Sequence, residues 1–414
     1  MLDSVNFEIK EKAKHVAENV VRPLASEHDR KQEYPWKVKE ALAESGLLKT
    51  WIPKEYGGNG LGSLNLCLVV EELSRACGGV GVMFAVNALG SYPIILGGRE
   101  EQKQKWLPEI ANGERLISFA LSEKMAGSNA SDLKTLISKN DDEYVINGDK
   151  KWNTNGGVAH YYSVFGVTNP SQVGKPSAIS AVVVEKGTDG FELGKEEDKM
   201  GIRCVPVREL YFRDCAVPKW NLLGDSEGKG FKIAMETLDH ARPGVAAQAL
   251  GCAQGAFEYA SRFASRRRQF GQPIQNHQSI GFLLADMSTR IEAARQLVYE
   301  SARMIDAADK DPSLKAKANK MAAQGKLFAT DTAMWVTTEA VQIFGGYGFM
   351  KDYPVEKYMR DAKITQIYEG TNQIQRLVVS RHVAREATSL KFLDSFIPTI
   401  DQWIPEELLN EVKK

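Results

Sequence analysis

Tyr144-Val145-Ile146-Asn147-Gly148-Asp149-Lys150-Lys151-Trp152-Asn153-Thr154-Asn155-Gly156-Gly157 is a strand-forming run punctuated by Asn-Gly and closed by a glycine pair. Asn-Gly tolerates the positive φ angles of a two-residue turn, so the segment predicts a tight hairpin at Asn147-Gly148. Strand alternation then places Trp152 and Thr154 on one face. The run at 178–184, Ala-Ile-Ser-Ala-Val-Val-Val, and Glu209-Leu210-Tyr211-Phe212 are further strand candidates, which makes residues 117–226 a β region.

Helical patterns flank this region. In residues 1–116, Ala41-Leu42-Ala43-Glu44-Ser45-Gly46 ends a helix at a glycine suited to a left-handed cap. From 227 onward Ile280, Leu284, Met287, Ile291, Ala294, Val298, Ser301 and Ile305 recur in steps of four and three, one stripe on one long helix. Breaks at Gly271-Gln272-Pro273 and Asp311-Pro312 separate long helices, for which a bundle is the economical packing. The expected class is α+β: an N-terminal helical domain (1–116), a central β domain (117–226), a C-terminal helix bundle (227–386) and an extension (387–414). In the extension Phe392, Phe396, Ile400, Trp403 and Ile404 repeat at helix-like intervals.

Composition narrows the function classes. The 53 basic and 53 acidic residues of the 414 cancel, so no net field recommends nucleic acid or an anionic membrane as partner. Cys67, Cys77, Cys204, Cys215 and Cys252 are scattered without CxxC spacing or clustered histidines, which argues against a disulfide framework or a zinc site; no metal is expected. They read as reduced thiols of a cytoplasmic protein. Asp3, Glu8, Glu11 and Glu18 interrupt the first 25 residues, unlike a signal or transit peptide, and no apolar run is expected to span a membrane. No GxGxxG or P-loop pattern occurs, which disfavours an ordinary nicotinamide-dependent dehydrogenase.

Five segments offer chemistry, each with an ordinary structural reading beside it. Leu121-Ser122-Glu123-Lys124-Met125-Ala126-Gly127-Ser128-Asn129 is a small-residue loop with hydroxyls and free N–H groups, able to cup a polar ring edge or simply to turn the chain. Trp152 and Thr154 offer an aromatic and a hydroxyl to a planar ring, or to a protein core. Asp239, Arg242, Arg267, Phe270 and Gln278 carry forked cations and an aromatic suited to phosphates and stacked rings, or to a solvated helix surface. Gln342-Ile343-Phe344-Gly345-Gly346 ends a helix and bares backbone to a close neighbour, or is a plain C-cap and turn. In Tyr368-Glu369-Gly370-Thr371-Asn372-Gln373, Thr371 or Asn372 caps a helix and leaves Glu369 in the loop before its positive end, where free N–H groups can face an anion or a carbonyl.

In this order and at these separations the segments closely resemble the acyl-CoA dehydrogenase family, from Ile52-Pro53-Lys54-Glu55-Tyr56-Gly57-Gly58 through Tyr368-Glu369-Gly370-Thr371. The resemblance implies a helical domain, a β-barrel-like domain and a four-helix bundle, assembled as a homotetramer with FAD as cofactor and an acyl-CoA as substrate. It places Leu121, Ser122, Trp152 and Thr154 around the flavin and Thr371 and Gln373 on FAD in the same subunit. Arg267, Phe270, Gln278, Gln342, Gly345 and Gly346 would bind its pyrophosphate and adenosine across a subunit interface. Ser128, Asp239, Arg242 and Gly370 would meet the substrate, and Glu369 would remove the α-proton while the β-carbon passes a hydride to flavin N5, giving a trans-2-enoyl-CoA. The backbone N–H of that glutamate and a ribityl hydroxyl would stabilise the enolate, with electrons passing to an electron-transferring flavoprotein.

Lys124-Met125 stands where the family usually has Pro-Gly, and Asn129 where aspartate is common. Ala241 occupies the position at which the isovaleryl-type and long-chain-type branches carry their glutamate, which favours Glu369 as base. The alternatives are an oxygen-using or enoyl-CoA-reducing relative and, from another class, a catalytically silent acyl-CoA-binding or scaffold protein. Gly79, Gly81, Met83, Phe84 and Ala85 mix small and bulky side chains, which leaves acyl chain length and branching open.

Overall fold

The computed structural model describes residues 2–395. Six helices come first: α1 (Ser4–Val16), α2 (Arg22–Lys31), α3 (Trp36–Glu44), α4 (Gly62–Ala76), α5 (Gly78–Gly97) and α6 (Glu100–Ala111). The Asp3 carboxylate accepts from the Asn6 N–H to start α1, and Gly46 at φ 71° lies just past the end of α3. α5 is long and apolar enough to cross a membrane, contrary to the sequence expectation, but 78% of its most apolar window is buried inside the protein. It is a core helix by position, and Met83 and Phe84 lie fully within that core.

Strands β1 (Ile117–Ala120), β2 (Leu136–Asn140), β3 (Glu143–Thr154), β4 (Tyr161–Val167), β5 (Ile179–Glu185), β6 (Phe191–Glu196), β7 (Val207–Pro218) and β8 (Leu222–Leu223) follow. They form one sheet in the order β6-β7-β3-β2-β4-β5-β8, with β1 parallel to β4. Its interior is a cluster of its own that includes Ile146, Tyr162, Val164, Val182, Leu210 and Phe212.

The predicted turn at Asn147-Gly148 does not form. Both residues lie inside β3, and the β2–β3 hairpin turns six residues earlier at Asp141-Asp142, where Asp141 takes φ 40°. Asn147 instead exchanges side-chain hydrogen bonds with Asp214 at 2.9 and 3.0 Å, and Gly148 marks a bulge against β7. A Cβ on Gly148 would fall 2.6 Å from the Thr135 Cα, so close packing, not a turn, requires the glycine. A second register shift between Lys150 and Asn153 gives Trp152 a φ of 59°, which breaks the plain alternation expected of Trp152 and Thr154.

The C-terminal part comprises α7 (Gly230–Arg266), a small hairpin of β9 (Arg268–Gln269) and β10 (Gln272–Pro273), α8 (Gln278–Lys310), α9 (Lys315–Phe344), α10 (Val355–Lys363) and α11 (Asn372–Ala387). α9 packs on α7, α8, α10 and α11, while α4 and α5 pack on α7. One hydrophobic cluster therefore runs from Ile9 to Ala362 through both helical regions. The stripe read from the sequence is on the inner face of α8: Met287, Ile291, Ala294, Val298, Ser301 and Ile305 are all buried. Of the C-terminal aromatic pattern, Phe396, Ile400, Trp403 and Ile404 lie outside the described residues.

Candidate active site

Between α10 and α11 the chain makes a short turn at Ile364–Gln366 and then a left-handed kink, Glu369 at φ 52° and Gly370 at φ 92°. A non-glycine residue there is strained and persists only where its neighbours dictate the conformation. They do so on both sides. The Tyr368 hydroxyl donates to Gln248 Oε1 on α7, and Gln248 Nε2 donates to Gly78 O at 2.9 Å. On the other side the Gly370 carbonyl accepts from Lys326 Nζ at 2.8 Å and from Gln375 Nε2 at 2.9 Å. Of the two cap candidates, Thr371 is the one used: its hydroxyl accepts from the Ile374 N–H at 3.3 Å and starts α11.

This kink presents the Glu369 carboxylate to the interface of α7 and α9. Although the residue as a whole keeps some exposed surface, its Oε2 is buried without a hydrogen-bond partner among the described residues. Burial pushes its pKa up to about 7, against the nearby positive charges of Lys326 and Arg242. Lys326 is pushed down to about 7, by burial first, with the Glu369 charge opposing. Among the described residues nothing accepts the Glu369 N–H. An unpaired acceptor, a free donor and a carboxyl poised near neutrality share one residue.

Asp239 and Arg242 lie one helical turn apart on α7, paired at 2.6 Å. Arg242 is buried, and its Nε also has no partner among the described residues. Asp239 additionally accepts from Asn319 Nδ2 at 2.7 Å, and burial raises its pKa.

The β domain holds a second group. Lys150 Nζ, fully buried, donates to Leu121 O at 3.1 Å and to Glu123 Oε1 at 2.7 Å. The Lys151 N–H donates to Ser122 O at 2.9 Å, and the Ser118 hydroxyl to Thr154 O at 2.6 Å. Leu121, Ser122 and Thr154 are thus fixed together, and Trp152 stands 55% exposed on its left-handed backbone. Ser128 is exposed at the far end of the loop.

A third group lines a cavity of about 510 Å³ that contains Arg267, Gly345 and Gly346 with Phe263, Phe344 and Tyr347. The Arg267 guanidinium lies 5.5 Å from the centre of the Tyr347 ring. Among the described residues nothing approaches within 4 Å of where a Cβ would sit on Gly345 or Gly346. Phe270, Gln278 and Gln342 are not among the residues lining it; Phe270 is 93% exposed at the hairpin tip, at φ 50°, and Gln278 begins α8. Gln373 is exposed on the first turn of α11.

Three residues with clear roles here went unread in the sequence: Glu123, Lys150 and Lys326. The signal for Lys326 was present. It interrupts an apolar helical stripe, Ala322, Lys326, Ala329, Ala333, Val336 and Ala340, all buried. A lysine inside such a stripe needs acceptors, and the sequence does not name them.

Comparison with known proteins matches most of the chain in three pieces. Models described as the N-terminal, middle and C-terminal domains of acyl-CoA dehydrogenase match residues 6–114, 118–215 and 228–384. The chain is 44% identical over 378 residues to a short-chain-specific acyl-CoA dehydrogenase of Clostridium acetobutylicum, covering 91% of this chain and 97% of that protein. It is similar to the structure of butyryl-CoA dehydrogenase from Megasphaera elsdenii, with TM-score 0.88 and 43% identity over 93% of this chain and 99% of that one. A chain in a structure described as the electron transferring flavoprotein of Acidaminococcus fermentans gives TM-score 0.89 and 47% identity, with the same coverage.

Proposed function

The chain belongs to the acyl-CoA dehydrogenase family of FAD-dependent oxidoreductases acting on CH–CH groups, and from that premise we propose that it desaturates a short-chain acyl-CoA with Glu369 as the α-proton base. The observation that carries the proposal is the buried, unpartnered Glu369 Oε2 on a strained turn. An α-proton beside a thioester is a weak acid, and a carboxylate of ordinary pKa is too weak a base to take it readily. Burial that raises the carboxyl to about 7 narrows the gap while leaving much of it ionised at neutral pH. The free Glu369 N–H offers a donor for the thioester oxygen as enolate charge develops. Arg242, paired with Asp239, and the Gly370 backbone lie beside this carboxylate and would hold the substrate around it.

The residues fit FAD. The cavity has a cation, stacked aromatics and a bare glycine backbone, and the Leu121–Ser122 loop with Thr154 and the exposed Trp152 forms a separate platform. Leu121, Ser122, Trp152, Thr154, Thr371 and Gln373 would hold the flavin half within the subunit. Arg267, Gly345 and Gly346, with Phe270, Gln278 and Gln342, would hold the adenosine and pyrophosphate half. Bound FAD supplies the two-electron acceptor for the hydride leaving the β-carbon. The exposure of Phe270 and the openness of the glycine edge support completion of this half by a second copy in a homotetramer. Likeness to proteins named short-chain specific and butyryl-CoA dehydrogenase supports a short acyl group, and likeness to the Acidaminococcus chain supports an electron-transferring flavoprotein as acceptor.

The test is anaerobic bleaching of the flavin by a panel of acyl-CoA thioesters. Butyryl-CoA should bleach fastest, and Glu369→Gln should slow bleaching by roughly 10²–10⁴-fold, the usual worth of a positioned base. Unchanged bleaching in that variant would sink the assignment. Reoxidation by an electron-transferring flavoprotein with little peroxide formed separates the dehydrogenase from an oxygen-using relative.

A further inference from the structure

Lys326 is fully buried on α9, yet no carboxylate lies within ion-pair distance of it among the described residues. Its ammonium takes two neutral acceptors instead, the Gly370 carbonyl at 2.8 Å and Asn372 Oδ1 at 2.9 Å. Both acceptors belong to the turn that carries Glu369. Asn372 is itself held to α9, its Nδ2 donating to Thr330 Oγ1 at 2.9 Å and to Asp331 Oδ1 at 2.7 Å. Lys326, Thr330 and Asp331 therefore grip the Glu369–Asn372 segment from successive turns of one helix.

We propose that Lys326 is a positioning residue for the reaction, clamping the left-handed Glu369 turn through Gly370 and Asn372 and supplying the positive charge against which the Glu369 carboxylate ionises. This rests on Glu369 being the base. The groups facing Glu369 are Lys326 from α9, Arg242 from α7 and the neighbouring Tyr368 phenol; those facing Lys326 are Glu369, Arg242 and Asp331. Arg242 already shares its charge with Asp239 at 2.6 Å. Lys326 has no ion-pair partner among the described residues, so in its protonated form, which burial confines to below about pH 7, its charge is the one left for Glu369. Its acceptors are neutral, and burial weakens screening. Removing a positive neighbour raises a carboxyl pKa, and the base acts only when ionised, so loss of Lys326 must move activity toward alkaline pH.

The experiment compares FAD-loaded wild type, Lys326→Met, Lys326→Arg and Glu369→Gln, reading the rate of anaerobic flavin bleaching by butyryl-CoA from pH 5.5 to 9.5. A turnover-independent readout accompanies it: the protonated-carboxyl band of Glu369 in infrared spectra, identified by its loss in Glu369→Gln. In Lys326→Met the acidic limb should move up by about one pH unit or more, with a loss of about tenfold at pH 7 that alkaline pH largely restores. The infrared titration should move the same way. Lys326→Arg, which keeps the charge, should return the limb toward wild type. If Lys326→Met does not fold, Lys326→Gln makes the same comparison, with the charge removed and one donor group kept. A limb and an infrared titration that coincide with wild type overturn the proposal, whatever the drop in rate. Bleaching that survives Glu369→Gln instead overturns the base assignment, leaving the two failures distinct.

Discussion

Two buried lysine–glutamate pairs in this chain are put to opposite uses. In the β domain, Lys150 meets Glu123 at 2.7 Å, and Glu123 also accepts from the Lys134 N–H at 2.7 Å and the Thr135 N–H at 3.0 Å. Burial acts to raise the Glu123 pKa, but the Lys150 charge and these donors outweigh it and hold the carboxyl below its usual range. Lys150 moves the other way, down to about 8, because its ammonium is wholly buried and one carboxylate does not repay all of that desolvation. At the other pair Lys326 bonds to Gly370 and Asn372 rather than to Glu369, whose Oε2 has no partner among the described residues and whose carboxyl rises to about 7. A carboxylate saturated with donors anchors a loop; one left short of donors while buried is primed to take a proton. The same two residue types give a structural pin in one place and a reactive group in the other.

That contrast can be broken experimentally, beginning with the larger effect. Lys150→Met leaves Glu123 buried beside the Leu121–Ser122 loop without its counter-charge, and unfolding in denaturant should lose about 3–5 kcal/mol, together with weakened FAD retention. A loss under about 1 kcal/mol would mean that the pair is not the anchor described. Glu369→Gln should act in the opposite direction on stability. A carboxyl raised in the folded state stabilises fully below its unfolded pKa of about 4.5, and that stability is lost as pH rises through about 7. Thermal melts of the holoenzyme should therefore show the wild type losing stability between about pH 4.5 and 7 relative to Glu369→Gln, by about 3 kcal/mol at pH 8. Parallel curves would show that Glu369 is not desolvated. The smallest effect sharpens the picture of the turn. Thr371→Ala removes the α11 cap at 3.3 Å and should cost about 1 kcal/mol in denaturant melts, with the Lys326 and Gln375 bonds still holding Gly370.

The sequence was most legible where pattern alone decides the outcome. The α8 stripe, the glycine after α3, the breaks around Gly271 and Pro312 and the helix–sheet–helix order follow from periodicity and from residues with restricted or special backbone angles. It misled where a local preference met a tertiary demand. Asn147-Gly148 has the composition of a hairpin turn, but Asp214 engages the asparagine and Thr135 leaves the glycine position no room for a side chain. The apolar length of α5 is masked in the sequence by small and polar residues such as Asn87 and Ser91; both are buried in the fold.

What the sequence by itself determined is therefore the division into helical and β regions and, through the order of its motifs, the family and the choice of Glu369 as candidate base. What only the tertiary structure decided is the state of that carboxylate. Its pKa depends on burial, on the charges of Lys326 and Arg242 from two other helices, and on an oxygen left without a donor. None of these is a property of neighbouring residues in the chain. Electrostatic free energy depends on distance and dielectric in three dimensions, so Glu123 and Glu369, chemically identical in the sequence, become a pin and a base only once the fold has placed their partners.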